Sequence, residues 1–144
     1  MSNKKKILII QKVHEKGMEL INNHPNFDVE VTDDTSIENL KSKLKDCDGA
    51  SIRIAKLPGE TFEEAKNLKI ISRHGVGYDN IDLKKAKEKD IKIAITANAN
   101  AVTVAEHVMF VLLNIAKRKD LFDKTVREGN LSLIHISEPT RRPI

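Results

Sequence analysis

A chain of 144 residues is long enough for one ordinary domain, and with 40% hydrophobic and 32% charged residues it can build a core and is not a disordered chain. Aromatic residues are only 3% with no Trp, and the +4 formal charge is spread along the chain, which argues against a nucleic-acid stacking platform. No apolar run approaches the roughly 18 residues of a membrane helix, Ile7 to Ile10 is too short for a signal-peptide core, and the single Cys47 has no partner for an internal disulfide. These features predict a cytoplasmic protein with no membrane and no nucleic-acid partner, and Cys47 as a small buried filler.

Short β-like runs alternate with helical patterns. Lys4-Lys5-Lys6 reads as a solvated approach to a first strand, Ile7 to Ile10, whose unbroken apolar run marks burial on both faces. A short helix is expected over His14 to Asn22, with Val13, Met18, Leu20 and Ile21 as its apolar contributors, then a turn at Asn23-His24-Pro25-Asn26. Phe27 to Val31 alternates as a strand does. Thr35-x-x-Glu38 has the form of a capping box, predicting a helix from Ser36 to about Leu44. Ala50 to Ile54 is a third strand. Thr61-x-x-Glu64 opens a short helix after the turn at Leu57-Pro58-Gly59, and Lys69 to Ser72 is a fourth strand. Asp82 can cap a helix from Leu83 to Lys89, and Ile91 to Ile95 is the fifth strand.

Strands joined by helical connections imply an α/β fold: a flavodoxin-like five-stranded parallel sheet with helices on both faces, in the order 2-1-3-4-5. A long helix is then expected from Ala101 to about Lys124. Its middle, Val104 to Ala116, is apolar nearly all round, where a surface helix carries one stripe, so it predicts cover from a second domain or a partner. The helical pattern stops at Gly129-Asn130. The last residues, 131–144, read LSLIHISEPTRRPI, and the first eleven resemble a transposase-based sequencing adapter translated in frame. Pro139 and Pro143 allow little further structure there. The segment is read as an artefact outside the fold, and His135 and Arg141-Arg142 are not site candidates.

In open parallel sheets ligands bind outside the carboxyl ends of the strands. Arg53 ends the third strand, Gly75-Val76-Gly77 follows the fourth, and Asn98 and Asn100 follow the fifth. Glycines let peptide N–H groups approach an anion, and a guanidinium suits a carboxylate or phosphate. Each part has a plainer reading. The glycines can be turn chemistry, Arg53 a surface ion pair, His74 a satisfied strand-end histidine, and Glu106 and His107 a pairing with helix neighbours. Tyr78-Asp79-Asn80 suits closing the turn and capping the next helix. Gly75 to Asn80 also begins like the dinucleotide fingerprint GxGxxG, but Asn80 stands where the third glycine allows tight helix–strand packing. The loop is therefore not read as a pyrophosphate site, and no metal site is expected.

In combination the motifs are more specific. Arg73-His74-Gly75-Val76-Gly77-Tyr78-Asp79-Asn80-Ile81-Asp82, followed by Ala86, resembles the GVGxDNID segment of D-2-hydroxyacid dehydrogenases of the phosphoglycerate dehydrogenase type. Asn98 to His107 resembles that family's N-x-x-S/T-VAEH helix start, Arg118 the arginine closing that helix pattern, and Ala50-Ser51-Ile52-Arg53 the strand ending in a substrate-facing residue. The resemblance runs from about Lys6 to Asn130. It implies a substrate-binding domain over residues 1–100 and an interdomain helix over 101–130 leading to an NAD-binding domain. It implies that Gly75, Val76 and Gly77 hold the substrate carboxylate, with Arg53 facing the substrate. Val76, Thr103, Val104, Ala105 and Glu106 would border the cofactor, NAD. The implied reaction is reversible hydride transfer with a small 2-hydroxy or 2-oxo acid, in a parent protein that is a homodimer or larger.

The resemblance also implies that the acid/base histidine, its carboxylate partner, the carbonyl-polarising arginine and the GxGxxG loop belong to the second domain. No catalytic residue is therefore expected in this chain, and His74 and His107 stand at the wrong motif positions. Asn98-Ala99-Asn100 lacks the proline and glycine common at that place. Two other classes stay open: a stand-alone flavodoxin-like binding module, or a partner subunit completed by association. Gln11-Lys12-Val13-His14-Glu15 after the first strand has neither the acidic residues of a receiver domain nor the hydroxyl-rich phosphate loop of a flavodoxin.

Overall fold

The computed structural model describes residues 4–130, so the adapter-like segment lies outside the described residues. Strands β1 (Lys5–Ile10), β2 (Phe27–Thr32), β3 (Gly49–Ile52), β4 (Ile70–Arg73) and β5 (Lys92–Ile95) form one all-parallel sheet in the expected order β2-β1-β3-β4-β5. Helix α1 (Glu15–Asn22) follows β1, α2 (Ile37–Leu44) follows β2, a 3₁₀ turn (Gly59–Phe62) lies between β3 and β4, and α3 (Leu83–Glu88) lies between β4 and β5. The chain divides into two compact units between Ala99 and Asn100, and these elements all belong to the first.

The register sorts the side chains. Leu8, Ala50 and Ile71 lie side by side across three strands, and Ile10 lies beside Ile52. Leu40 and Leu44 of α2, Leu57 and Phe62 around the 3₁₀ turn, and Ala86 of α3 pack on that face as one core. Burying Leu40, Leu44 or Phe62 contributes about 1.5–3 kcal/mol each. Successive strand residues point to opposite faces. Ile9 is therefore buried on the other side, the side of α1, where Met18 is the buried residue and shares a surface groove with Val31. Leu20 does not join it and is 77% exposed, because residues two apart on a helix do not share a face.

The capping box expected at Thr35 and the helix expected to open at Thr61 are not made. The N-cap of α2 is Ser36 without a side-chain bond, and Asp34 Oδ1 instead accepts from the Ser36 N–H at 2.9 Å. Thr61 Oγ1 donates to the Pro58 carbonyl at 2.6 Å, which closes a 3₁₀ turn in place of the expected helix. The Asp82 cap forms as expected, with Oδ1 accepting from the Lys85 N–H at 2.9 Å. Gly59 lets this turn approach α3, since a Cβ there would lie 2.7 Å from Asp82 Oδ2 and 2.8 Å from Lys85 Cβ. Cys47 is fully buried, and burial pushes its thiol up to about 11, which suits an inert filler.

In the second unit, α4 (Ala101–Ala116) and α5 (Lys119–Arg127) replace the single long helix expected to Lys124. The chain breaks at Arg118, whose φ of 47° is left-handed, a conformation costing a non-glycine residue on the order of 1 kcal/mol. No glycine or proline marks the place. No residue of α4 is buried, and Val102 and Ile115 are each 72% exposed.

Glu30 of β2 pairs with Lys43 of α2 and lies 3.4 Å from Lys6 Nζ. The Lys43 hydrogen bond above all holds the Glu30 carboxyl below the usual carboxylate range. A depressed carboxyl contributes stability above its unfolded pKa and loses it as pH falls through the folded value. Glu30→Gln should therefore lower stability by up to about 1 kcal/mol at neutral pH, the ceiling for a half-exposed pair. The difference should shrink as pH falls below the usual carboxylate range and vanish once Glu30 is protonated in the folded chain, as read from urea midpoints across that range.

Candidate functional site

Parallel strands bring the ends of β1, β3, β4 and β5 to one edge of the first unit. Arg53 is the first residue past β3. The pairing of Ile52 with Arg73 sets it alongside His74, whose N–H donates to the Ile52 carbonyl at 2.8 Å. The Arg53 side chain is exposed and makes no ion pair among the described residues, so the surface-pair reading is not what the structure shows.

The loop after β4 is held at its first glycine. Gly75 N–H donates to the Arg73 carbonyl at 2.9 Å, and its carbonyl accepts from the Thr96 N–H past β5 at 3.0 Å. Its φ is 147°, and the Arg73 guanidinium occupies the place a Cβ would take. Arg73 Nε is buried without a partner. The Gly75 N–H is thus already committed, while among the described residues the Val76 and Gly77 N–H groups donate to no protein acceptor. A Cβ on Gly77 would lie 3.3 Å from Asp79 Oδ2, so glycine keeps this stretch of backbone open.

Beyond Gly77 the chain does not enter a helix until Leu83. Asn80 instead stitches two loops together. Its carbonyl accepts from the Leu57 N–H at 2.7 Å, and its Nδ2 donates to the Ala55 carbonyl at 2.7 Å. From the other side Gln11, just past β1, accepts through Oε1 from the N–H groups of Ile54 at 3.0 Å and Ala55 at 2.9 Å. Gln11 has a left-handed φ of 69°. Sequence reasoning missed Gln11 as a site-forming residue, and it read Asn80 as a turn and cap residue in the place of the third glycine, not as a tie to Ala55. A polar side chain on the first position past a strand was the one available signal.

The other candidates are placed separately. His74 is exposed, and the His107 ring makes only a tilted contact with Phe110, centroids 6.1 Å apart. Asn98 lies in an exposed turn, and Asn100 is the N-cap of α4 without a side-chain bond. Thr103, Val104 and Glu106 are exposed in the first two turns of α4, in the second unit. Val76 is 42% exposed. Among the described residues no three His, Cys, Asp or Glu side chains could hold a metal, and no helix is long and apolar enough to cross a membrane.

Two uncommitted peptide N–H groups and an unpaired guanidinium on neighbouring strand ends suit a carboxylate. The fold is a flavodoxin-like α/β domain, with these groups at the carboxyl edge of its sheet. The profile of the family described as D-isomer specific 2-hydroxyacid dehydrogenase, catalytic domain, matches residues 7–137. The chain belongs to this oxidoreductase family. It is 35% identical over 128 residues to D-3-phosphoglycerate dehydrogenase 2, chloroplastic, of Arabidopsis thaliana, covering 88% of this chain and 20% of that protein. It is 35% identical over 130 residues to glyoxylate reductase of Thermococcus onnurineus, covering 88% of this chain and 38% of that one. Among solved structures, the PH0520 protein of Pyrococcus horikoshii OT3 superposes with a TM-score of 0.82 at 29% identity, covering 98% of this chain and 42% of that one. The NAD+-bound 3-phosphoglycerate dehydrogenase of Entamoeba histolytica gives a TM-score of 0.66 at 28% identity, covering 77% and 39%. The chain thus spans well under half the length of these relatives.

Gly75→Ala would put a methyl group into the Arg73 guanidinium at a φ that suits glycine. It should lower stability by about 1–3 kcal/mol, and amide spectra should show the change concentrated in residues 73–77 and around Thr96.

Proposed function

We propose that this chain is the substrate-binding part of an NAD-dependent oxidoreductase acting on the CH–OH group of a D-2-hydroxy acid, and that by itself it is inactive. The observation that carries this reading is the pair of uncommitted N–H groups, Val76 and Gly77, in the loop after β4, the strand next to the one that leads into unpaired Arg53, in a chain matching the family's catalytic domain. The carboxylate of a small 2-hydroxy or 2-oxo acid accepts from the two N–H groups, Arg53 neutralises it, and Gly77 keeps the backbone there free of a side chain. Residues 1–100 form the substrate-binding domain, 101–130 lead toward the NAD-binding domain, and 131–144 are adapter-derived. The parent protein works in the cytoplasm as a homodimer or larger.

NAD, when bound, supplies the hydride acceptor. The loop after Gly77 does not offer its pyrophosphate an immediate helix start, because it turns away through Asn80 and the helix begins only at Leu83. The hydride step is accordingly assigned to no residue of this chain. Val76, with Thr103, Val104 and Glu106, is proposed only to border the cofactor.

The test is titration of the isotopically labelled chain with oxalate, a planar dicarboxylate. The Val76 and Gly77 amide resonances should shift in a saturable way, and their staying still at tens of millimolar would sink the carboxylate reading. In the same preparation no NAD-dependent oxidation of any D-2-hydroxy acid is expected; measurable turnover would refute the claim of inactivity. Reading the gene past the Asn130 codon should reveal a continuing frame with a GxGxxG loop.

A further inference from the structure

Arg53 is the one charged side chain the proposed carboxylate corner depends on, yet nothing holds its guanidinium directly. What is held is its backbone. On its N-terminal side the Ile52 carbonyl accepts from the His74 N–H at 2.8 Å. On its C-terminal side the next two peptide N–H groups, Ile54 and Ala55, both donate to Gln11 Oε1. The Ala55 carbonyl accepts from Asn80 Nδ2 at 2.7 Å. The segments past β1 and β4 therefore meet on residues 52–55, at the end of β3.

Two details mark this as more than loop packing. Gln11 adopts a left-handed φ of 69°, a conformation that costs a non-glycine residue energy and persists only where its surroundings require it. Asn80 keeps its Oδ1 buried without a partner while its Nδ2 reaches Ala55, so the amide is turned toward the loop although its acceptor goes unpaired. Gln11 and Asn80 thus grip the segment from two sides, one accepting from its N–H groups and the other donating to its carbonyl.

Resting on the function proposed above, we infer that Gln11 and Asn80 are positioning residues that orient Arg53 toward the substrate carboxylate. They touch no substrate. They fix the peptide planes on either side of Arg53, so that its guanidinium is presented beside the Val76 and Gly77 N–H groups instead of sweeping through solvent. Substrate affinity is then set in part at the end of β1, on a strand that contributes no group to the anion itself.

Oxalate titration of the full chain tests this. Gln11→Met keeps the side chain's length and removes its acceptor. It should weaken oxalate binding about ten-fold and speed hydrogen exchange at the Ile54 and Ala55 amides, while the Leu8 and Ile71 amides keep their protection. Gln11→Glu restores an acceptor oxygen and should restore protection at Ile54 and Ala55. Asn80→Ser, which removes the donor on Ala55 from the other side, should weaken oxalate binding in the same direction and reads the grip even if Gln11→Met does not fold. Equal oxalate affinity in the wild-type chain and in whichever of Gln11→Met and Asn80→Ser folds would overturn the inference and leave the carboxylate corner standing. No oxalate binding by the wild-type chain would overturn the corner, and the inference with it.

Discussion

The parallel ladder of β1, β3 and β4 sets Ile10, Ile52 and Arg73 side by side, so these three strands end at the same height. Everything at the candidate site depends on that shared ending. Because the strands are parallel, every connection must cross to the far edge and return, which leaves the carboxyl edge to loops alone. Because the register is in phase, the first residues past β1, β3 and β4 are neighbours: Gln11, Arg53 and His74. A slip of one residue in β3 would move Ala50 and Ile52 from the core to the opposite face. The core of Leu8, Ile10, Ala50, Ile52 and Ile71 against α2 and α3 therefore fixes the position of Arg53 as firmly as any bond at the site.

Within that frame, charge and backbone polarity are divided. The carboxyl edge carries exposed Arg53 and the free N–H groups of Val76 and Gly77. The opposite edge spends its charges on structure: Asp48 accepts from Lys5 Nζ at 2.9 Å and from the Lys6 N–H at 2.9 Å. Those bonds hold its carboxyl below the usual range, the Lys5 side chain contributing most. Paired charges near the strand starts brace β1 against the segment leading into β3, whereas the unpaired guanidinium at the strand ends is available to an anion.

Much of this could be read from residue patterns, and the limits were physical. The five strands, their order and the Asp82 cap rest on local apolar runs and short-range hydrogen bonds, and these appear as expected. The capping box at Thr35 and the helix at Thr61 gave way to other local bonds, from the Ser36 N–H to Asp34 and from the Thr61 hydroxyl to the Pro58 carbonyl. The break at Arg118 was invisible because no glycine or proline marks it. Gln11 was missed because its role depends on 43 and 44 residues of separation, a contact created by the sheet and not by neighbouring sequence. The glycine loop was legible as a backbone N–H feature, but not the commitment of the Gly75 N–H to the Arg73 carbonyl, which leaves only the two N–H groups after it uncommitted among the described residues.

Asn80 explains why a loop that starts like a dinucleotide fingerprint cannot finish as one. A pyrophosphate turn needs the helix to begin at once, so that its first N–H groups and its dipole face the phosphates, and a third glycine so that helix and strand can close together. Here Asn80 ties Ala55 and Leu57, a parallel bridge joins Leu57 to Ile81, and the helix is delayed until Leu83. By then the backbone has been drawn away from the edge toward the loop after β3. The same bonds that disqualify the loop for a dinucleotide bring it against the segment that carries Arg53. The bonds of the single side chain and carbonyl at position 80 thus hold this stretch against the loop after β3, without the immediate helix start that a dinucleotide turn needs.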